Sequence, residues 1–279
     1  MLCRGSMGAI ALVAMLGYTV TGAHAQGSAK YPEWFGQWSR TDTGPNRYDQ
    51  SKPGGRGQQA PLTAEYQAVF DANMADQETG GQGTNITHSC LPGGLVRDMS
   101  AVHSLEFVVT PKITYVLFGD SMPRRIYTDG RDWPRDPETA YAGYSIGRWS
   151  EPDQEGRYSV LEVETRNFSG PRVFDNIGIP FHADNQTVVI ERIYRDKSNP
   201  TIMHDDMTTI DHALTRPWAV NKTYRLEKEA IWLEENCTLG NAHVQIGREA
   251  YFLSADGYLM PAKKGQQPPD TRYFKQRLN

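Results

Sequence analysis

The stretch Gly143-Tyr144-Ser145-Ile146-Gly147-Arg148-Trp149, GYSIGRW, decides between two fold classes. Its first five residues match G-x-S-x-G, in which a serine nucleophile rides a sharp turn between a buried strand and a helix. The residues before it, Pro137 to Ala142, make a poor apolar strand, and Arg148 to Pro152 make a poor helix. The stretch therefore reads as a β-strand in its own right. Alternation puts Tyr144, Ile146 and Arg148 on one face and Ser145, Gly147 and Trp149 on the other. On this reading Tyr144 and Arg148, rather than Ser145, are expected to point into a pocket.

The same texture extends in both directions. LEFVVT and ITYVLFGD flank Pro111-Lys112 as a hairpin, and RRIYTDGR carries a tight-turn pair, Asp129-Gly130. RYSVLEVETRNF alternates, with Ser159, Leu161, Val163 and Thr165 on one face. QTVVIERIYR, TIMHDDMTTID and PWAVNKTYRL are further strands, and EAYFLSADGYLMP reads as a closing hairpin. Helices are few. The clearest follows Thr63, a good N-cap, with Tyr66, Val69, Phe70 and Met74 forming an apolar face that ends at Gly80-Gly81. EAIWLEENC (229–237) reads as a short helix. Many short strands with few helices predict a mainly β chain. The expected form is an antiparallel lipocalin-like (calycin-type) barrel with one N-terminal helix, and the alternative is a two-sheet sandwich.

Residues 1–25 read as a signal peptide: Arg4, an apolar run from Ile10 to Tyr18, and Ala23-His24-Ala25 as a cleavage site. The run falls short of the roughly 18 apolar residues that a span requires. A periplasmic or secreted protein without membrane insertion is expected. Residues 26–60, rich in Gly and Pro, read as an extended arm that docks Tyr31, Trp34, Phe35 and Trp38, leaving 61–279 as a single β-rich domain. A net charge of −4 with no basic block argues against nucleic acid as a partner. Export makes a Cys90–Cys237 disulfide and two separate thiols equally open readings.

Arg125, Tyr127, Asp129 and Arg131 form a cluster that could hold an oxyanion or phenolate, or else pin a hairpin by ion pairing. His182, in a loop before a strand, suits proton transfer near neutral pH. Glu191 lies within an apolar strand with the parity of Val189 and Ile193. Facing inward, it would need a partner such as Arg125, Arg131 or Arg192. His204 and His212 would stand about 26 Å apart on a straight strand. With no H-E-x-x-H and no paired C-x-x-C in the chain, neither a metal nor any other cofactor is expected.

RRIYTDGR, GYSIGRW, FHADNQ, ERIYR and DHALTRPW, in that order, resemble a large family of exported, mostly uncharacterised proteins of Gram-negative bacteria. The resemblance spans roughly residues 60–279 and implies export and a compact β-rich fold. One departure is the longer acidic segment SEPDQEGRYSVLEVET after GYSIGRW. From the residues themselves, the expected function is a metal-independent enzyme of lyase, isomerase or hydratase type. It would act on a hydrophobic, in particular aromatic, small molecule in a barrel pocket. His182, Glu191 and Tyr127 would be catalytic, and Arg125, Asp129, Arg131, Tyr144 and Arg148 would bind substrate. A non-catalytic periplasmic carrier of such a ligand is the alternative.

Overall fold

The computed structural model describes residues 30–42, 47–86, 90–100, 103–119, 121–232, 243–246, 249–254 and 258–268. The leader, His88, Cys237 and Asp256-Gly257 lie outside the described residues, while Cys90 is disulfide-bonded. No helix among the described residues is long and apolar enough to cross a membrane.

Nine strands close into a barrel: β1 (Gln37–Arg40), β2 (Leu105–Val109), β3 (Ile113–Phe118), β4 (Arg124–Tyr127), β5 (Tyr144–Pro152), β6 (Tyr158–Arg166), β7 (Val188–Arg195), β8 (Ile202–Ile210) and β9 (Trp218–Leu226). Each strand bonds to the next and β9 returns to β1, so the sandwich alternative is excluded. Every pairing is antiparallel except β4 with β5, which run parallel. That exception corrects the reading of Asp129-Gly130 as a hairpin turn. Parallel neighbours need a crossover, so the chain after Tyr127 travels back along the barrel before β5 begins.

The arm is also more than a docked tail. Its strand β1 fills the gap between β2 and β9, with Trp38 opposite both Leu105 and Leu226. Four residues are too few to display a strand period. Their inclusion follows from closure, which leaves no unpaired edge. Trp34 and Trp38 are buried, and Trp34 meets Phe107 and Trp149 edge-on with ring centroids 5.3 and 4.9 Å apart.

Side chains fill the barrel. Trp38, Leu161, Ile193, Met203 and Met207 are fully enclosed, and Phe107 is nearly so. These indole, phenyl and thioether groups belong to one buried hydrophobic core. Gly147 belongs to this packing. A Cβ there would lie 2.7 Å from Ile126 Cγ2 and 3.3 Å from the Glu162 carbonyl oxygen. Gly147→Ala is expected to lower stability by about 1–3 kcal/mol through overpacking, read as a shifted urea midpoint at unchanged slope.

Helix α1 (Ala64–Glu78) starts at Thr63, whose Oγ1 accepts from the Tyr66 N–H. Its inward residues are Phe70 and Asn73, and Val69 is exposed, contrary to the expected apolar face. An amide takes the apolar role: Asn73 donates to the Ile177 carbonyl at 2.7 Å and accepts from the Thr84 N–H at 2.7 Å. A one-turn helix, α2 (Leu95–Asp98), is wholly buried at the end of the barrel where β7 begins. Beyond the barrel, β10 (His243–Ile246), β11 (Glu249–Leu253) and β12 (Leu259–Pro261) form a separate antiparallel sheet. Lys263, just after it, is joined to Asp76 of α1 at 3.0 Å. Glu229 to Trp232 are not helical, and the rest of the expected helix there lies outside the described residues.

Candidate functional site at one end of the barrel

The residues singled out by sequence fall in three places. Tyr127, Asp129, Arg131 and Tyr144 do come together, but on the outer surface. The Arg131 guanidinium lies 3.8 Å over the Tyr127 ring, donates to the Tyr144 hydroxyl at 3.3 Å and pairs with Asp129 at 2.7 Å. Arg125 is exposed, and Arg148 is exposed and paired with Glu162. The inward register of β4 and β5 belongs to Arg124, Ile126, Ser145 and Gly147. Tyr144 and Arg148 therefore face away from the interior, which corrects the expectation that they line a pocket.

Glu191 faces inward and is buried, but its partner is Arg124, not Arg125, Arg131 or Arg192. Arg124 Nη1 donates to Glu191 Oε1 at 2.8 Å, Nη2 donates to Oε2 and to Thr165 Oγ1, and Nε donates to Ser145 Oγ. The Ser145 hydroxyl is thus held by Arg124 and by Thr165 at 2.8 Å, with no base at hydrogen-bond distance. Deeper in the barrel Asp205 stands opposite Lys222 across β8 and β9. The Lys222 ammonium donates to the Tyr48 carbonyl at 2.8 Å and to Ser100 Oγ at 2.6 Å. Neither Asp205 oxygen has a protein partner; burial first, then the Glu191 carboxylate, pushes this carboxyl well above its usual range. Burial likewise lowers Lys222, to about 8.

His182 sits at the rim of the barrel, far along the chain from Tyr127 and in a different environment from Glu191. Its Nδ1 lies 3.0 Å from Asp184 Oδ1, and His212 Nδ1 lies 2.5 Å from Asp184 Oδ2. Asp211 fixes both segments: Oδ1 accepts from the His182 and Ala213 N–H groups, and Oδ2 from Thr187 Oγ1. Thr187 Oγ1 in turn accepts from Arg172 Nη2 at 2.9 Å. The expected trio of His182, Glu191 and Tyr127 is accordingly split between rim, interior and outer surface.

Arg172 was not visible as a candidate, because SGPRVFDN has no period. It is only 8% exposed, its guanidinium carbon lies 4.9 and 5.0 Å from the Phe168 and Phe181 ring centres, and its Nε and Nη1 have no partner. Burial lowers its pKa to about 10. It borders a small cleft of about 10 Å³, lined also by Gly94, Leu95, Val96, Phe181 and Thr187. Gly94 is required there: its φ is +82°, and a Cβ would stand 3.0 Å from the Tyr141 carbonyl oxygen. Nearby in the chain, Asp175 closes the turn between Val173 and Pro180. Its Oδ1 accepts three backbone N–H groups, its Oδ2 has no partner, and burial raises it to about 6.

Two of the interior ions could have been found by parity, since Asp205 and Lys222 share the register of Met207 and Val220. The rim cluster could not, because Asp184 and His212 meet only through loop packing. Comparison of the chain with protein-family models, curated proteins and solved structures finds no match.

Proposed function

We propose that this chain is an exported protein, of the family its motifs resemble, that binds a small organic anion with an apolar body at the end of the barrel closed by α2. One observation carries the reading: Arg172 is a buried cation flanked by two phenyl rings, with two donor nitrogens left unpartnered beside a cleft. Unpaired buried donors are costly, and a carboxylate or phenolate would satisfy them with charge-assisted hydrogen bonds. Both rings are buried, and Phe181 is stacked on Phe174 with centroids 3.8 Å apart, so the apolar body of the ligand would lie at the mouth of the cleft. The cleft itself has a volume of about 10 Å³, about that of one water molecule, so only the anionic end of a ligand would enter it.

Isothermal titration with benzoate and with neutral benzamide tests this. Benzoate is expected to bind, benzamide roughly tenfold more weakly or worse, and Arg172→Met to lose the preference while keeping its near-UV circular dichroism. Equal binding of the two probes, or wild-type benzoate affinity in Arg172→Met, would sink the proposal.

An acid/base enzyme acting on the same class of molecule is the second reading; Asp175, three residues from Arg172, has a free Oδ2 and a pKa raised to about 6, but it is buried and not part of the cleft lining. Deuterium exchange at carbon α to a ligand carboxylate, followed by NMR, separates the two. Exchange that Asp175→Asn abolishes without loss of binding marks an enzyme. A ligand recovered unlabelled marks a carrier.

A further inference from the structure

We infer that His182, Asp184 and His212 form a binding site for a divalent transition-metal ion, of the Zn²⁺, Co²⁺ or Ni²⁺ class, at the rim of the barrel. One ligand atom from each of the three residues lies within 4.8 Å of the other two. The 3.0 Å from His182 Nδ1 to Asp184 Oδ1 is close to the spacing of neighbouring ligands around an ion with bonds of about 2.0–2.2 Å, while the 2.5 Å hydrogen bond between His212 Nδ1 and Asp184 Oδ2 would have to open to admit the ion.

The detailed contacts favour a cation. The Asp184 N–H points at His182 Nδ1 from 3.1 Å, so that nitrogen presents its lone pair. The Asp184 carboxylate oxygen at 3.0 Å from the same nitrogen presents another. Two lone pairs facing each other repel unless a proton on the ring or a metal ion lies between them. The backbone segments that carry the two histidines are also held together. Asp211 accepts from the backbone of both His182 and Ala213, so one carboxylate clamps the two histidine-bearing segments together. The His182 ring lies 5.2 Å from the Tyr66 ring, whose hydroxyl accepts from the Ala183 N–H. Outer contacts of this kind orient metal-binding imidazoles.

Two imidazoles and one carboxylate are a borderline donor set. It suits first-row divalent ions better than Ca²⁺ or Mg²⁺, which take oxygen ligands. Three protein ligands leave coordination positions open, and His212 is largely exposed, so an ion can enter from solvent and keep water or a ligand oxygen. The inference stands apart from the anion proposal: it needs neither Arg172 nor the cleft.

The metal-stripped full chain, titrated with Zn²⁺ by calorimetry and with Co²⁺ by visible absorption, is the test. One equivalent should bind, with a Co²⁺ d–d band and a raised melting temperature. His212→Ala, which removes an exposed side chain and leaves the fold intact, should weaken binding by roughly tenfold or more, as should Asp184→Asn. His204→Ala removes a second His–Asp contact, 3.2 Å from Asp196, and should change nothing. The inference fails if no stoichiometric binding occurs, or if binding survives unchanged in both His212→Ala and Asp184→Asn.

Discussion

Glu191→Ala is expected to destabilise the protein by about 3–5 kcal/mol, the range for breaking a buried ion pair by removing one partner. Arg124 and Glu191 have side chains that are 1% and 0% exposed, and together they engage Ser145 and Thr165 across β4, β5, β6 and β7. Removing the carboxylate leaves a guanidinium inside the barrel with no counter-charge on that side. Asp205 is pushed well above the usual carboxylate range by burial first and by Glu191 second, so the loss of Glu191 removes only the smaller of these two causes. Arg124→Met combined with Glu191→Leu removes both charges and is expected to recover most of the loss, because replacing a whole buried pair by apolar residues is often neutral. Urea midpoints of Glu191→Ala, of the singles Arg124→Met and Glu191→Leu, and of the double variant supply the measurement. A loss below about 1 kcal/mol in Glu191→Ala, or a double variant as weak as the sum of the singles, would show that the pair is solvated.

The second large effect is a dependence on pH. Asp175 is fully buried, and burial raises its pKa from 3.8 to about 6, so the folded state holds its proton more tightly than the unfolded chain does. The stabilising difference is fully present below about pH 4 and is lost as pH rises through about 6, a change of about 3 kcal/mol. Asp175→Asn keeps an oxygen acceptor for the N–H groups of Ile177, Gly178 and Ile179 but removes the ionisation. Relative to wild type, the variant should gain up to about 3 kcal/mol between pH 4 and pH 7. Comparing the two proteins cancels groups of opposite sign, such as Asp42, which is ionised and paired with Arg40 and Arg47. A difference between variant and wild type that is the same at both pH values would refute the assignment.

Both predictions concern groups that the sequence marks unequally. Glu191 stands out as a charge on an apolar parity, and its inward face follows from Val189 and Ile193. Its partner does not follow. Arg124 and Arg125 are adjacent, and only the register of β4 against β5, with Ile126 opposite Ser145, decides which one enters the barrel. Asp175 and Arg172 lie in a loop without periodicity, where burial depends on α2 and the 211–217 segment closing over them.

The sequence alone determined that the chain is β-rich, where most strands run, that Thr63 starts a helix and that Ser145 is not on a nucleophile elbow. Those features are local: alternation, capping and turn chemistry act over a few residues. Only the tertiary structure decided that β1 closes the barrel, that β4 and β5 run parallel, that Tyr144 and Arg148 face outward, and that His182 meets Asp184 and His212. Each of these depends on which segments lie side by side after closure, and a period of two fixes that two faces exist without saying which one is inside.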